Sequence, residues 1–531
     1  MLFVLVVYNL DMKRQILIGV LAVAGTLCLG LIMTPHKTVM RFNDLQISES
    51  EWSDITDSRS ENNDLKIGTV LFGNVPLQAD LSSNRLYYSS NSDSAAALMP
   101  QVTLSLGQYI SLATLDNRLS ITQISENSPT KLLFYNNFEY RVMNLYITTL
   151  PIMNIDTLGH AVTNESDTLA EMRLIANDSN ITSRTKIHIR GATSLWFAKK
   201  SFKLNLINAD GGNNKLKLLD MRADDDWILY SLYGDFEKVR NILSTQLWRD
   251  CCREHNVDHV DNTFEYRYVE LFMDDSYYGL FLLGYKPDKK VLELGENEVL
   301  FKNHDWVDVN LLNETDSFEN YYTIENDVDN PEKYQEELKR FVNILADGSA
   351  EDIRANFDII NAIDIELHAM LTAESDYVKE GMTKNLYVTI KQRPDRRYVL
   401  YTPWDFDLSF GNSWQGGLSN HTSTISYGYG PDYVPESVST PVAALRTKGD
   451  ATINQEIKTR YIELRNGAWS NENIMRLISN YEADIFASGA FERDKARWPD
   501  GNYLEGATNL STFRDFVEKR LVFLDKYYGL N

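Results

Sequence analysis

Residues 402–411 read TPWDFDLSFG and follow the apolar run Tyr398, Val399, Leu400 and Tyr401. Within the stretch, Asp405 and Asp407 alternate with Phe406 and Leu408. Alternation at period two predicts a strand, on which residues i and i+2 share a face. Both carboxylates then emerge together, with aromatic packing behind them. Two like charges that close repel unless a cation or a donor lies between them. A divalent metal is the simplest partner, and oxygen ligands of this kind suit magnesium, calcium or manganese. The competing reading is a polar edge strand carrying two solvated aspartates.

Upstream segments add to the first reading. Residues 357–371 carry Ile360, Ile363, Leu367 and Leu371 on one helical stripe, and Ala373-Glu374-Ser375-Asp376 follows at once. Lys384 and Asn385 then precede a strand, Leu386-Tyr387-Val388. A loop acid after a helix, an asparagine before a strand and a second acid after the next strand form a chemically suggestive order. One acid can orient a hydroxyl, while asparagine and the later acid hold a metal on phosphate oxygens. Earlier still, KIHIR (186–190), Gly191 and SFKLNL (201–206) predict two strands joined by a glycine turn. Lys199 and Lys200 open the second strand, and lysine is a flexible point charge suited to phosphate, although surface lysines are ordinarily solvated. Asp224, Asp225 and Asp226 are expected to cap a helix or line a turn. Val239, Ile242, Leu243, Leu247 and Trp248 make a helical stripe that carries Arg240 and Asn241 toward an acidic neighbour. Residues 267–273 and 278–283 predict a hairpin about Asp274 and Asp275.

The chain has 531 residues, room for more than one domain, and a formal net charge of −23. That charge argues against nonspecific binding to nucleic acid or anionic membrane surfaces. Cys28, Cys251 and Cys252 form no CxxC pair and no HExxH occurs, which excludes a zinc ribbon and a disulfide-rich scaffold. Residues 15–33 are uncharged, apolar and just long enough to span a bilayer, so 1–34 reads as an anchor or signal-like segment. The expected location is membrane-anchored with the bulk of the chain extracytoplasmic. Residues 35–96 read as a polar stalk, 97–149 as a small β-rich module and 150–531 as one larger α+β domain with a C-terminal helical extension. Residues 412–439, rich in Gly, Ser, Thr and Tyr, read as a surface loop or a flap over the site.

The pieces IHIRGATSLWFAKKSFKLNL, ADDDWILYSLYGDFEKVRNILSTQLW, YRYVELFMDDSYYGLFLL, ESDYVKEGMTKNLYV and TPWDFDLSFGNSW resemble, in this order, the CotH kinase family of spore-coat-protein-H-like chains. The resemblance implies a divergent protein-kinase-like domain, and ATP-dependent, metal-assisted phosphoryl transfer to Ser or Thr of a protein acceptor. It implies Mg²⁺ or Mn²⁺ as the ion. By resemblance, Lys200 or adjacent Lys199 matches the nucleotide-phosphate lysine and Arg240 lies near the nucleotide. Asp376 matches the acid at the acceptor hydroxyl. Asn385 and Asp405 match the metal side, with Asp407 beside them. The chain departs from ordinary kinases in having no GxGxxG loop, no HRD and no DFG. The alternative is a surface structural or assembly protein that keeps the fold without turnover, and a calcium-binding adhesion module would use the same acids without nucleotide.

Overall fold

The computed structural model describes residues 37–90, 99–105, 110–119, 129–176, 179–314, 318–379, 381–413, 427–435 and 440–530. The apolar run at 15–33 and part of the loop at 412–439 lie outside the described residues. No described helix is long and apolar enough to cross a membrane. The chain forms two compact units: the first takes the described residues up to Ile147, and the second takes Thr148–Ala176 and the chain from Asn180 onward.

The first unit corrects the expectation of a stalk over 35–96. Helix Glu49–Asp57 starts on a reciprocal cap between Ser48 and Glu51. Strands Lys37–Arg41, Gln101–Ser105, Thr69–Phe72 and Val75–Pro76 make one sheet. Gln78–Asp80, Arg85–Ser89, Glu139–Thr148, Thr130–Tyr135 and Ser111–Thr114 follow one another in a second. Phe42, Phe72 and Tyr88 pack edge to face in its interior. The apolar residues here come in strands too short to stand out from the polar turns between them.

The second unit begins with seven strands that close into a barrel. They are β1 (Ile152–Asp156), β2 (Thr168–Ala176), β3 (Ser179–Arg190), β4 (Ser201–Ile207), β5 (Asp226–Tyr230), β6 (Tyr266–Met273) and β7 (Ser276–Gly284), in the order β1-β2-β3-β4-β5-β7-β6. Closure is made by β1 and β6, which pair in parallel from Ile152↔Glu270 to Ile155↔Met273. The expected hairpin is present as the antiparallel pair β6 and β7. The family resemblance implies a kinase-like domain; the strands instead build this closed barrel, because the parallel pairing of β1 with β6 leaves no free edge between them. The three aspartates cap no helix: Asp224 ends a two-residue strand and Asp226 opens β5. Buried Asp224 is held by Lys290 and Arg222.

A four-stranded sheet follows, β9-β8-β10-β11, built from β8 (Val299–Asn303), β9 (Tyr322–Ile324), β10 (Leu386–Gln392) and β11 (Arg397–Pro403). The helices of this unit include α1 (Arg240–Cys252), α2 (Pro331–Asp347), α3 (Ala350–Asn356), α4 (Ile359–Thr372), α5 (Thr440–Thr447), α6 (Ile453–Arg465), α7 (Asn471–Glu482), α8 (Ala490–Arg497) and α9 (Ser511–Tyr527). Helix α4 is buried on every side from Asn361 to Thr372 and touches α1, α6, α9 and β11. It ends on Ala373 in the left-handed conformation (φ +51°), which directs the following acids away from the helix axis.

Candidate active site

Strand β11 stops at Pro403, so the expected strand through Asp405 and Asp407 is corrected to a turn. Proline donates no ladder hydrogen bond and marks strand ends. Asp405 then adopts φ +68°, and Phe410 and Gly411 also have positive φ. The alternation nonetheless sorts the side chains. Trp404 and Phe406 both enter the core against Phe264, at 4.8 Å and 6.1 Å between ring centres. Phe406 also meets His368 at 5.0 Å and Tyr377 at 6.0 Å. With the aromatic residues directed inward, the half-buried carboxylates of Asp405 and Asp407 face the other way.

Other contacts set the turn. Phe410 N donates to Thr372 O, Ser375 Oγ to Leu408 O, and Ser409 Oγ to Phe406 O. Trp404 N donates to Asn385 O at 3.0 Å, which ties the two site segments together. Asn385 has φ +56°, so two of the site residues occupy the left-handed region, where Asn and Asp are the best tolerated side chains after glycine. Such conformations cost on the order of 1–3 kcal/mol each and persist only where the surroundings enforce them.

The structure brings together Asp376, Asn385, Asp405 and Asp407. Asn385 Nδ2 donates to Asp376 Oδ2 at 2.7 Å, and Lys384 Nζ lies 3.5 Å from the same oxygen. Tyr230, at the end of β5, reaches Asp405 Oδ1 at 3.4 Å, with the carboxamide of Asn241 beside its hydroxyl. Burial pushes the Asp376 carboxyl up to about 6, with Lys384 opposing and Asp405 adding to the shift. Asp407 is held well above the usual carboxylate range by burial and by Asp405, Asp376 and Glu374.

Glu374 is the member that sequence reasoning passed over. Its Oε1 accepts from the backbone N–H groups of Ser375 and Asp376, while the buried Oε2 has no hydrogen-bond partner among the described residues. Burial and then Asp376 push its carboxyl up to about 8. The available signal was its position in the quoted ESDYV segment, two residues before Asp376.

The basic residues expected at the nucleotide are engaged elsewhere. Lys199 is 1% exposed, with Nζ 2.7 Å from both Asp494 Oδ1 and Leu280 O. Lys200 Nζ donates to the carbonyls of Leu195 and Phe197, at 2.6 and 2.5 Å, and so shapes the turn between β3 and β4. Arg240 is buried between Asp235 at 2.7 Å and Glu237 at 2.8 Å, and its Nε donates to Ser409 O at 3.1 Å. Arg240 therefore clamps the back of the aspartate turn. No described hydrogen bond or ion pair joins Lys199, Lys200 or Arg240 to Asp376, Asp405 or Asp407.

The four-acid group fits a divalent cation by its chemistry. Four carboxylates share one place, burial first and then the neighbouring acids push three of them up, and Asn385 adds an amide oxygen. Among the described residues, the group whose ligand atoms already lie within 4.8 Å of one another is elsewhere: Cys251, Cys252 and Asp364. That second group is poorly suited to an ion, because the two cysteines are disulfide-linked and Asp364 is occupied by Arg460 and His255.

A search of curated proteins returns no match. A family model described as CotH kinase protein matches residues 187–524, a span that opens on β3 and contains every residue of the acid group. The chain belongs to the CotH kinase protein family.

Proposed function

We propose that this protein transfers the terminal phosphoryl group of ATP to a Ser or Thr hydroxyl of a protein acceptor, assisted by Mg²⁺ or Mn²⁺. The observation that carries the reading is the meeting of Asp376, Asn385, Asp405 and Asp407 at one place, from three separated segments. Asp405, Asp407 and the amide oxygen of Asn385 would hold the ion. When bound, it neutralises charge on phosphate oxygens. Asp376 orients the acceptor hydroxyl and takes its proton, a task suited to a carboxyl pushed up to about 6. Lys384 and Asn385 hold the Asp376 carboxylate in place. Buried Trp404 and Phe406 exclude water from behind, and Arg240 keeps the turn from shifting.

The division of roles is testable with Asp376→Asn. Phosphoryl transfer to protein Ser or Thr should fall by about 10²-fold or more, the scale of losing a general base. Affinity for Mg·ATP should stay within a few-fold of wild type. Wild-type transfer by a folded Asp376→Asn protein would remove Asp376 from the mechanism.

A further inference from the structure

A phosphate chain beside four carboxylates needs cationic contacts, and the basic residues named by family resemblance have their charges satisfied elsewhere. Two other basic side chains converge on the turn. Arg190 is the last residue of β3, and its guanidinium carbon lies 5.9 Å from the centre of the Trp404 ring, one residue before Asp405. Lys302 lies on β8 in register with Tyr387, which in turn opposes Thr402 on β11. Residues opposite one another in adjacent strands share a face, so Lys302, Tyr387 and Thr402 form one row. The Tyr387 ring meets Trp404 edge-on at 5.8 Å, and the charge of Asp405 acts on Lys302.

Neither Arg190 nor Lys302 makes a side-chain hydrogen bond or a close ion pair with a described residue. Both are half-buried. Glu325 attracts Lys302, but that carboxylate is already bonded to Lys286. Burial and then the charge of Arg190 lower Lys302 to about 8, so the two cations disfavour each other while Asp405 draws Lys302 the other way. A half-buried pair of like charges that makes no direct ion pair is costly unless a ligand supplies further opposite charge. Arginine suits the flat, forked recognition of phosphate oxygens, and lysine adds a point charge.

We propose that Arg190 and Lys302 bind the phosphate chain of the nucleoside triphosphate at the acid group, the task that family resemblance assigns to Lys199 or Lys200. This rests on the phosphoryl-transfer reading for the identity of the ligand. For the chemistry of the contact it requires only a polyphosphate with a divalent cation. The two basic side chains and the acids then neutralise opposite parts of one metal–polyphosphate unit. Lys200 remains a positioning residue for the turn between β3 and β4.

The probes are inorganic tripolyphosphate, ATP and AMP, each titrated calorimetrically into the full chain with and without MgCl₂. Arg190→Ala and Lys302→Met should each weaken tripolyphosphate and ATP at least tenfold and weaken AMP less. Arg190→Lys should retain part of the affinity, and Lys200→Met should cost less than Lys302→Met. Thermal unfolding of each variant confirms that it is folded. Folded Arg190→Ala and Lys302→Met proteins that bind tripolyphosphate like wild type overturn the proposal, as does a wild-type chain that binds no polyphosphate. Polyphosphate binding through these residues in a protein that transfers no phosphate would support this site and defeat the transfer reading. Transfer with an unchanged KM for ATP in both variants would do the reverse.

Discussion

Asp407 shows how the turn converts residue chemistry into a binding requirement. Its carboxyl is held well up by burial and by three neighbouring acids, with no ion pair from a described basic side chain. Asp407→Asn removes that repulsion at nearly constant volume. The metal-free variant should be more stable than wild type by on the order of 1 kcal/mol, the scale of a one-unit pKa change. Added Mg²⁺ should stabilise wild type and leave the variant nearly unmoved. Thermal melts in EDTA and in MgCl₂ check both halves, and a variant less stable than wild type in EDTA would contradict the repulsion. Most of the site side chains were legible in the sequence, since Asp376, Asn385, Asp405 and Asp407 stand out by order and alternation. Glu374 was not, because a carboxyl whose oxygen binds the next two backbone N–H groups looks in sequence like any loop acid.

At the scale of elements, period and spacing located α1, α4, β4 and the β6–β7 hairpin but misread how β11 ends. Alternation through Asp407 implied a strand, and the left-handed Asp405 breaks it while the aromatic residues keep their inward order. The lysines just before β4 were misleading for another reason: their partners come from distant parts of the chain or from the local turn. Asp494 of α8 neutralises Lys199 across 295 residues of sequence, which no local pattern reveals. Helix α4 carries a further consequence of burial. His368 Nε2 donates to Ser244 O at 2.8 Å, its Nδ1 has no described partner, and burial lowers its pKa to about 4. The imidazole is neutral when folded, whereas the unfolded chain binds its proton below about 6.5. This contribution to stability is therefore complete above pH 6.5 and is lost as pH falls from 6.5 toward 4, by up to about 1.4 kcal/mol per unit. Denaturant titrations of wild type and His368→Gln between pH 7 and 4.5 isolate it. The difference between the two proteins should shrink as pH falls, and a difference independent of pH would exclude a neutral buried histidine.

For the whole molecule, the sequence indicated a mixed α+β chain and the family, and missed the closed barrel and the helix and strands that fold residues 37–90. Barrel closure depends on β1 meeting β6 in parallel, a pairing between strands more than a hundred residues apart that alternation cannot specify. The same long-range closure places β5 and the end of β3 beside a turn from the far end of β11, so that Tyr230 and Arg190 reach Asp405 and Trp404. The proposed metal-dependent phosphoryl transfer depends on this meeting of segments. Its most direct test measures Mg²⁺-dependent ATP binding together with transfer of the terminal phosphate to protein Ser or Thr, in wild type and in Asp405→Asn. The folded variant is expected to lose the magnesium dependence of ATP binding and at least about 10²-fold of transfer, the scale of removing one electrostatic stabiliser. Wild-type transfer by a folded Asp405→Asn protein would contradict it.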